Sequence, residues 1–204
     1  MKFTTIIFDL GNVILTNDWH YECPEKDKEF SDYFFISNDN MEKGWGKFWP
    51  DFKLGEITEE EFWRGFLEIS GAKLIDIEKA KEIYRKYQLE IEGMPELVRK
   101  LKNDYTLVAL TNIGKEWLTF KLEKFSLQNT FDPIISSCHS GIAKPNPEIY
   151  DILVEKLQRK PEECIFIDDK ESNLIPARKL GITTILFTNQ EELEKKLKTL
   201  NIKF

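Results

Sequence analysis

The chain has 204 residues, 41% apolar and 13% aromatic, enough to bury one core with a smaller satellite, which excludes a disordered polypeptide. Charged residues make up 32%, and the formal net charge of -7 argues against a nucleic-acid surface, which selects for clustered Lys and Arg. Cys23, Cys138 and Cys164 are odd in number, far apart and without CxxC spacing, so neither a disulfide framework nor a zinc site is expected, and a reducing cytoplasm fits.

The opening MKFTTIIFD breaks its apolar run at Asp9, too early for a signal-peptide core or a membrane span, so no membrane partner is expected. Its β-branched residues predict a first strand over residues 3–8. From about Thr16 to Glu92 the pattern turns charged, aromatic-rich and helical, with Trp19, Tyr21, Phe30, Phe34, Trp45, Trp49, Phe62, Trp63 and Phe66, and with a Thr58-x-x-Glu61 capping box. These aromatics are expected to pack mostly with one another, one or two near the start of the segment lining a pocket. After Gly93, helical periodicity over 94–103, 115–125, 147–157, 173–180 and 190–200 alternates with apolar runs at 105–110, 134–136, 164–167 and 183–187. Alternation of this kind predicts a doubly wound, Rossmann-like α/β domain with a parallel sheet of about five core strands. Residues 1–15 and 93–204 form the expected core, and residues 16–92 a helical cap subdomain inserted after the first strand.

In an open parallel sheet, ligands bind outside the carboxyl ends of the strands, where strand order reverses. The polar residues at those ends are Asp9-Leu10-Gly11-Asn12, Thr111-Asn112 and Asp168-Asp169, with Lys144 approaching a helix predicted to start at Pro147 behind an Asn146 N-cap. Adjacent carboxylates repel unless a cation neutralises them, so Asp168 and Asp169 suggest a hard divalent metal; the alternative is that one caps the next helix and the other is exposed. With Asp9 close by, carboxylate oxygens, a backbone carbonyl and waters would make an octahedral magnesium site. A carboxylate beside such a metal can attack phosphorus. Lys144 would supply positive charge, and the Thr111 hydroxyl, the Asn112 amide or nearby backbone N–H groups would supply neutral donors. Taken singly, each has a plainer reading: a surface lysine, a strand-end threonine, an N-cap asparagine.

Taken together and in order, IIFDLGNV, LTN, the lysine of GIAKPNPEIY and IFIDDKESN resemble the four motifs of the haloacid-dehalogenase-like superfamily over the whole chain. The resemblance implies a magnesium-dependent phosphatase acting on small phosphorylated metabolites, especially sugar phosphates, through an aspartyl-phosphate. It makes Asp9 nucleophile and metal ligand, Thr111, Asn112 and Lys144 phosphate binders, and Asp169 the main second metal carboxylate. Asp168 is a further candidate ligand or a supporting acid, and the Gly11 backbone carbonyl a metal ligand. Most phosphatases of the superfamily carry an acid–base aspartate where this chain has Gly11, and loss of that group is worth roughly 10²–10⁴-fold. FDLGNV is nevertheless similar to a subgroup that includes sugar-phosphate phosphatases. Asp18, His20 and Glu22 are candidate substitutes, while His139 has no evident partner.

Two other functions compete. A haloacid dehalogenase would use the same nucleophile without metal, but dehalogenases resembling this fold usually carry Tyr at the position of Gly11. A catalytically impaired module that binds phosphate or protein would also explain Gly11. A nucleotide oxidoreductase is set aside, because no GxGxxG follows the first strand. The expected assembly is a monomer or homodimer.

Overall fold

The computed structural model describes residues 2–16 and 23–204. In chain order, strand β1 (Thr5–Phe8) is followed by helices α1 (Pro24–Phe34), α2 (Asn38–Leu54), α3 (Glu59–Ile69) and α4 (Ile77–Lys86). Then come α5 (Met94–Leu101), β2 (Thr106–Thr111), α6 (Lys115–Lys124), β3 (Ile134–Ser136), α7 (Ser137–Ser140) and α8 (Pro147–Leu157). The chain ends with β4 (Cys164–Asp168), α9 (Glu171–Lys179), β5 (Thr183–Leu186) and α10 (Gln190–Thr199). The strands form one parallel sheet in the order β3-β2-β1-β4-β5. Order reverses on either side of β1, which puts the crevice of such a sheet at its carboxyl end.

The near-continuous apolar strand sequences follow from burial on both faces. Ile6, Phe8, Leu107, Ala109, Ile165 and Ile167 belong to the larger apolar core, which also takes in the helices between β1 and α5. Their sequence neighbours Ile7, Val108, Leu110 and Phe166 point to the other face and pack with Ile149, Tyr150 and Leu153 of α8 and Leu174 and Ala177 of α9.

Several boundaries differ from the sequence reading by one or two residues. The second strand starts at Thr106 and not Tyr105, because the Tyr105 amide donates to the Leu101 carbonyl at 3.0 Å and closes α5. It ends on Thr111, which pairs with Ser136 of β3. The helix expected over 173–180 begins at Glu171, and the short α7 escaped the periodicity because four residues cannot display a helical period.

The helical insertion leaves and rejoins the core through one paired neck. The Thr16 amide donates to the Leu89 carbonyl at 2.8 Å and the Ile91 amide to the Ile14 carbonyl at 3.0 Å. The capping box at the start of α3 forms as the sequence predicts, with the Glu61 amide donating to Thr58 Oγ1 at 3.2 Å and the Thr58 amide to Glu61 Oε2 at 2.8 Å. Phe30, Phe34, Phe52, Phe62, Trp63 and Phe66 are fully buried. Their packing extends onto the core: Trp117 of α6 stacks on Tyr84 at 3.9 Å between ring centroids and lies edge-on to Phe52 at 4.8 Å. Glu59, only 4% exposed, joins the two parts by accepting from the indole N–H of Trp117 at 3.0 Å and pairing with Arg85 at 2.8 Å.

Two contacts fix the end of α2 to the core. Ser137 Oγ donates to the Lys53 carbonyl at 2.6 Å. Gly55, at φ +76°, ends the helix so close to Cys138 that a Cβ would stand 2.6 Å from the Cys138 carbonyl oxygen, so position 55 needs glycine on both counts.

Candidate active site

Asp9 directly follows β1, and Asp168 and Asp169 sit at the end of the adjacent β4. The parallel register therefore brings three carboxylates, far apart in sequence, to one mouth of the sheet, each with an oxygen within 4.8 Å of the others. Lys144 reaches them from the loop before α8, its side chain wholly buried, with Nζ 2.7 Å from Asp168 Oδ2 and 3.0 Å from Asp9 Oδ2. This is no surface lysine.

The carboxylates have different surroundings. Asp168 is fully buried and accepts from the Lys170 amide at 2.9 Å and from the Asn173 amide group at 2.9 and 3.1 Å, besides pairing with Lys144. Asp169 is only partly buried, accepts from Asn12 Nδ2 at 3.2 Å and lines the cavity. The geometry thus gives Asp168 the work of holding Lys144 and the start of α9, and leaves Asp169 facing the cavity. Asp168 anchors the turn into α9 through the Lys170 amide and Asn173 while belonging to the acidic cluster.

Burial pushes the Asp9 carboxyl up to about 7; Lys144 opposes the rise, and Asp168 and Asp169 add to it. Burial likewise raises Asp169, opposed by the Asn12 hydrogen bond. For Lys144, burial acts to lower the ammonium, but Asp9 and Asp168 outweigh it and hold the group above the ordinary lysine value. Three convergent carboxylates with one buried ammonium between them carry an excess of negative charge. The donor set is all hard oxygen, so these residues fit a divalent cation of the magnesium type.

Asn112 holds Lys144 through its backbone: Asn112 Nδ2 donates to the Lys144 carbonyl and the Lys144 amide to Asn112 Oδ1, each at 2.9 Å. One amide hydrogen of Asn112 remains for a ligand. Thr111, at the end of β2, is buried and is not among the residues that line the cavity. Gly11 does line it, and a Cβ there would meet nothing within 4 Å. His139 hydrogen-bonds Ser136 Oγ at 2.8 Å, which supplies the partner that sequence did not reveal. Asp18, His20 and Glu22, and the aromatics Trp19 and Tyr21, lie outside the described residues.

The cavity has a volume of about 220 Å³ and takes in Asp9, Lys144 and Asp169, with Trp49 and Lys53 of α2 across from them. Among the described residues, the aromatic at the pocket therefore comes from the middle of the insertion and not its start. Trp49, Lys53, Lys170, Ser172 and Asn173 were not singled out from sequence. Lys170, Ser172 and Asn173 carried a signal only as members of the IDDKESN run that follows the fourth strand.

Residues 3–181 match the family described as haloacid dehalogenase-like hydrolase. Flavin mononucleotide hydrolase 1 of Arabidopsis thaliana is 30% identical over 98% of this chain and 79% of its own length. The D-ribitol-5-phosphate phosphatase of Bacteroides thetaiotaomicron is 23% identical over 94% of this chain and 95% of its own. Other relatives are far longer, and the chain spans as little as 13% of them. A HAD family enzyme from Bacteroides thetaiotaomicron, solved with magnesium and inorganic phosphate, is 25% identical with a TM-score of 0.75, covering 92% of this chain and 95% of that one. The match over most of the chain and the acidic mouth of the sheet agree: the chain belongs to the haloacid dehalogenase-like hydrolases.

Proposed function

We propose that this hydrolase is a magnesium-dependent phosphatase of small phosphorylated metabolites, sugar phosphates foremost, working through an aspartyl-phosphate on Asp9. The observation that carries the reading is the convergence of Asp9, Asp168 and Asp169 with buried Lys144 beside one small cavity. The relatives that act on phosphate monoesters and the neighbour solved with magnesium and phosphate support it. Residues 1–15 and 93–204 would be the catalytic core and residues 16–92 the cap. Among the described residues no helix is long and apolar enough to cross a membrane, and the three cysteines are unpaired, which suits a reducing cytoplasm.

In this mechanism Asp9 Oδ2 attacks phosphorus while the bond to the leaving oxygen breaks. Asp9 is aimed by the Leu10 amide, which donates to Oδ1 at 2.7 Å, and by Lys144. Asp9 and Asp169 would hold magnesium with the Gly11 carbonyl, Asp168 standing behind them as a supporting acid. When bound, the ion supplies charge neutralisation for the carboxylates and the phosphoryl oxygens. Lys144, the remaining Asn112 amide hydrogen and the Thr111 segment would orient the phosphate. Gly11 offers no side chain to protonate the leaving oxygen, so that proton comes from water or from another group at the pocket. Water then attacks the phosphoryl group, releasing phosphate and restoring the Asp9 carboxylate.

Phosphate release across sugar phosphates, nucleotides and p-nitrophenyl phosphate, with magnesium or EDTA, tests the reading on wild type and Asp9→Asn. Turnover that needs magnesium and is abolished by the substitution supports it. Turnover of 2-haloacids indifferent to EDTA would give the dehalogenase; magnesium and phosphate binding without turnover of any ester would give the non-catalytic module.

A further inference from the structure

Lys144 is the lysine that the motif pattern assigns to phosphate, yet in the structure it is already engaged. Its ammonium lies between Asp9 and Asp168, at salt-bridge distance from both. Three carboxylates, Lys144 and a bound divalent cation would sum to zero charge, so neutralising a phosphoryl dianion would fall to other groups of the pocket. Desolvating an unpaired dianion is expensive, and phosphoryl-transfer sites depend on such neutralisation.

Two cations besides Lys144 line the same cavity: Lys53, from the end of α2, and Lys170, from the turn after β4. Neither makes a salt bridge among the described residues, although Lys170 acts on the carboxylate of neighbouring Asp169. Lys53 is half-buried, and burial together with the like charge of Lys170 lowers its ammonium below the ordinary lysine value. An unpaired, part-buried cation without a local carboxylate is a costly arrangement, and a bound anion would relieve it.

The Lys53 backbone is also fixed in place. Its carbonyl accepts from Ser137 Oγ at 2.6 Å, and Ser137 Oγ in turn accepts from the Ile113 amide at 3.0 Å, next to Asn112. The close approach of Gly55 to Cys138 seals the helix end against the core. Lys53 is thus carried by the insertion but held in register with the core loop that braces Lys144, and the side chain needs no large closure to reach the pocket. Lys53 and Asp9 line one cavity of about 220 Å³.

We propose that Lys53 is a second phosphate-binding residue, contacting the transferred phosphoryl group itself and completing, with Lys170, the charge balance that Lys144 cannot supply. The inference rests on the phosphatase reading and extends it to a residue of the inserted helices.

Calorimetry of inorganic phosphate binding to the magnesium-loaded protein is the test. Lys53→Met, which keeps the stem and removes the charge, and Lys53→Gln, which keeps a donor, are each expected to weaken phosphate binding about tenfold or more. Exposed Lys47 lies on the same helix outside the cavity, and Lys47→Met should leave binding within about twofold of wild type. Phosphate affinity unchanged in both Lys53 variants, while the wild type binds, would overturn the role of Lys53 and leave the phosphatase reading standing. So would a rise in KM for esters with phosphate affinity intact, because Lys53 would then serve the leaving group. A wild-type protein that binds magnesium but no phosphate would overturn both.

Discussion

Replacing Lys144 by Met separates the electrostatics of the site from its chemistry. The wholly buried ammonium stands 2.7 Å from Asp168 and 3.0 Å from Asp9, and its removal leaves both carboxylates facing a neutral stem. Breaking a buried ion pair by deleting one partner costs about 3–5 kcal/mol, and Asp168 recovers part of this through Asn173 and the Lys170 amide. Among the described residues Asp9 keeps the Leu10 amide alone; its share is the pH-dependent part of the cost, at most about 1.4 kcal/mol near pH 8, where protonation caps it. Its carboxyl is already raised to about 7 with Lys144 present and rises further without it. The sign follows from linkage: an acid whose folded pKa is raised destabilises the fold above that pKa, and protonation relieves the cost as pH falls through it. Urea unfolding in EDTA should therefore show a loss of about 3 kcal/mol or more near pH 8 and a clearly smaller one near pH 5. Saturating magnesium should restore part of the loss at the higher pH. A cost below about 1 kcal/mol near pH 8, or an equal cost at both pH values, would refute the view that Lys144 chiefly offsets buried carboxylate charge.

Three further outcomes are expected. With the Asp9 carboxyl at about 7 in the metal-free protein, magnesium must displace a proton at low pH, so calorimetry should find its affinity about 100-fold weaker near pH 5 than near pH 8; a flat profile would remove Asp9 from the metal site. A Cβ at Gly11 meets nothing within 4 Å, so Gly11→Asp should fold normally and raise kcat on sugar phosphates about tenfold or more. Unchanged kcat in a folded variant would show that protonation of the leaving group does not limit turnover. Glu59→Ala leaves the indole N–H groups of Trp63 and Trp117 without their acceptor and Arg85 without its partner. Denaturant unfolding should show a loss of about 3 kcal/mol or more, and a loss below about 1 kcal/mol would mean that Glu59 does not hold insertion and core together.

The sheet was readable because each strand is a short β-branched or apolar run that ends in the polar residues the site uses. Asp9, Asp168 and Asp169 could be placed together from sequence, since parallel strands of a doubly wound sheet bring their carboxyl ends to one side. The division of labour between Asp168 and Asp169 could not. It depends on Asn173 and Lys170 turning back onto one carboxylate and on Asn12 reaching the other, contacts that span up to 157 positions. Lys144 likewise reads as a loop residue until the fold buries it between two acids. Trp49 and Lys53 were hidden for a different reason: within a helix crowded with aromatics and charges, sequence does not say which residues turn toward the cavity. Asn112 reads as an N-cap or a ligand donor, and its bracing of the Lys144 backbone appears only when two loops 32 positions apart meet.

The most direct test of the account is to trap the phosphoryl group on the protein. The magnesium-loaded enzyme is quenched in acid during turnover of a sugar phosphate and treated with borohydride, which reduces an acyl phosphate to an alcohol, and the peptides are mapped by mass spectrometry. Reduction confined to Asp9, absent without substrate and absent in Asp9→Asn, is the predicted result. Reduction at another carboxylate, or none while phosphate is being released, would contradict Asp9 as the nucleophile.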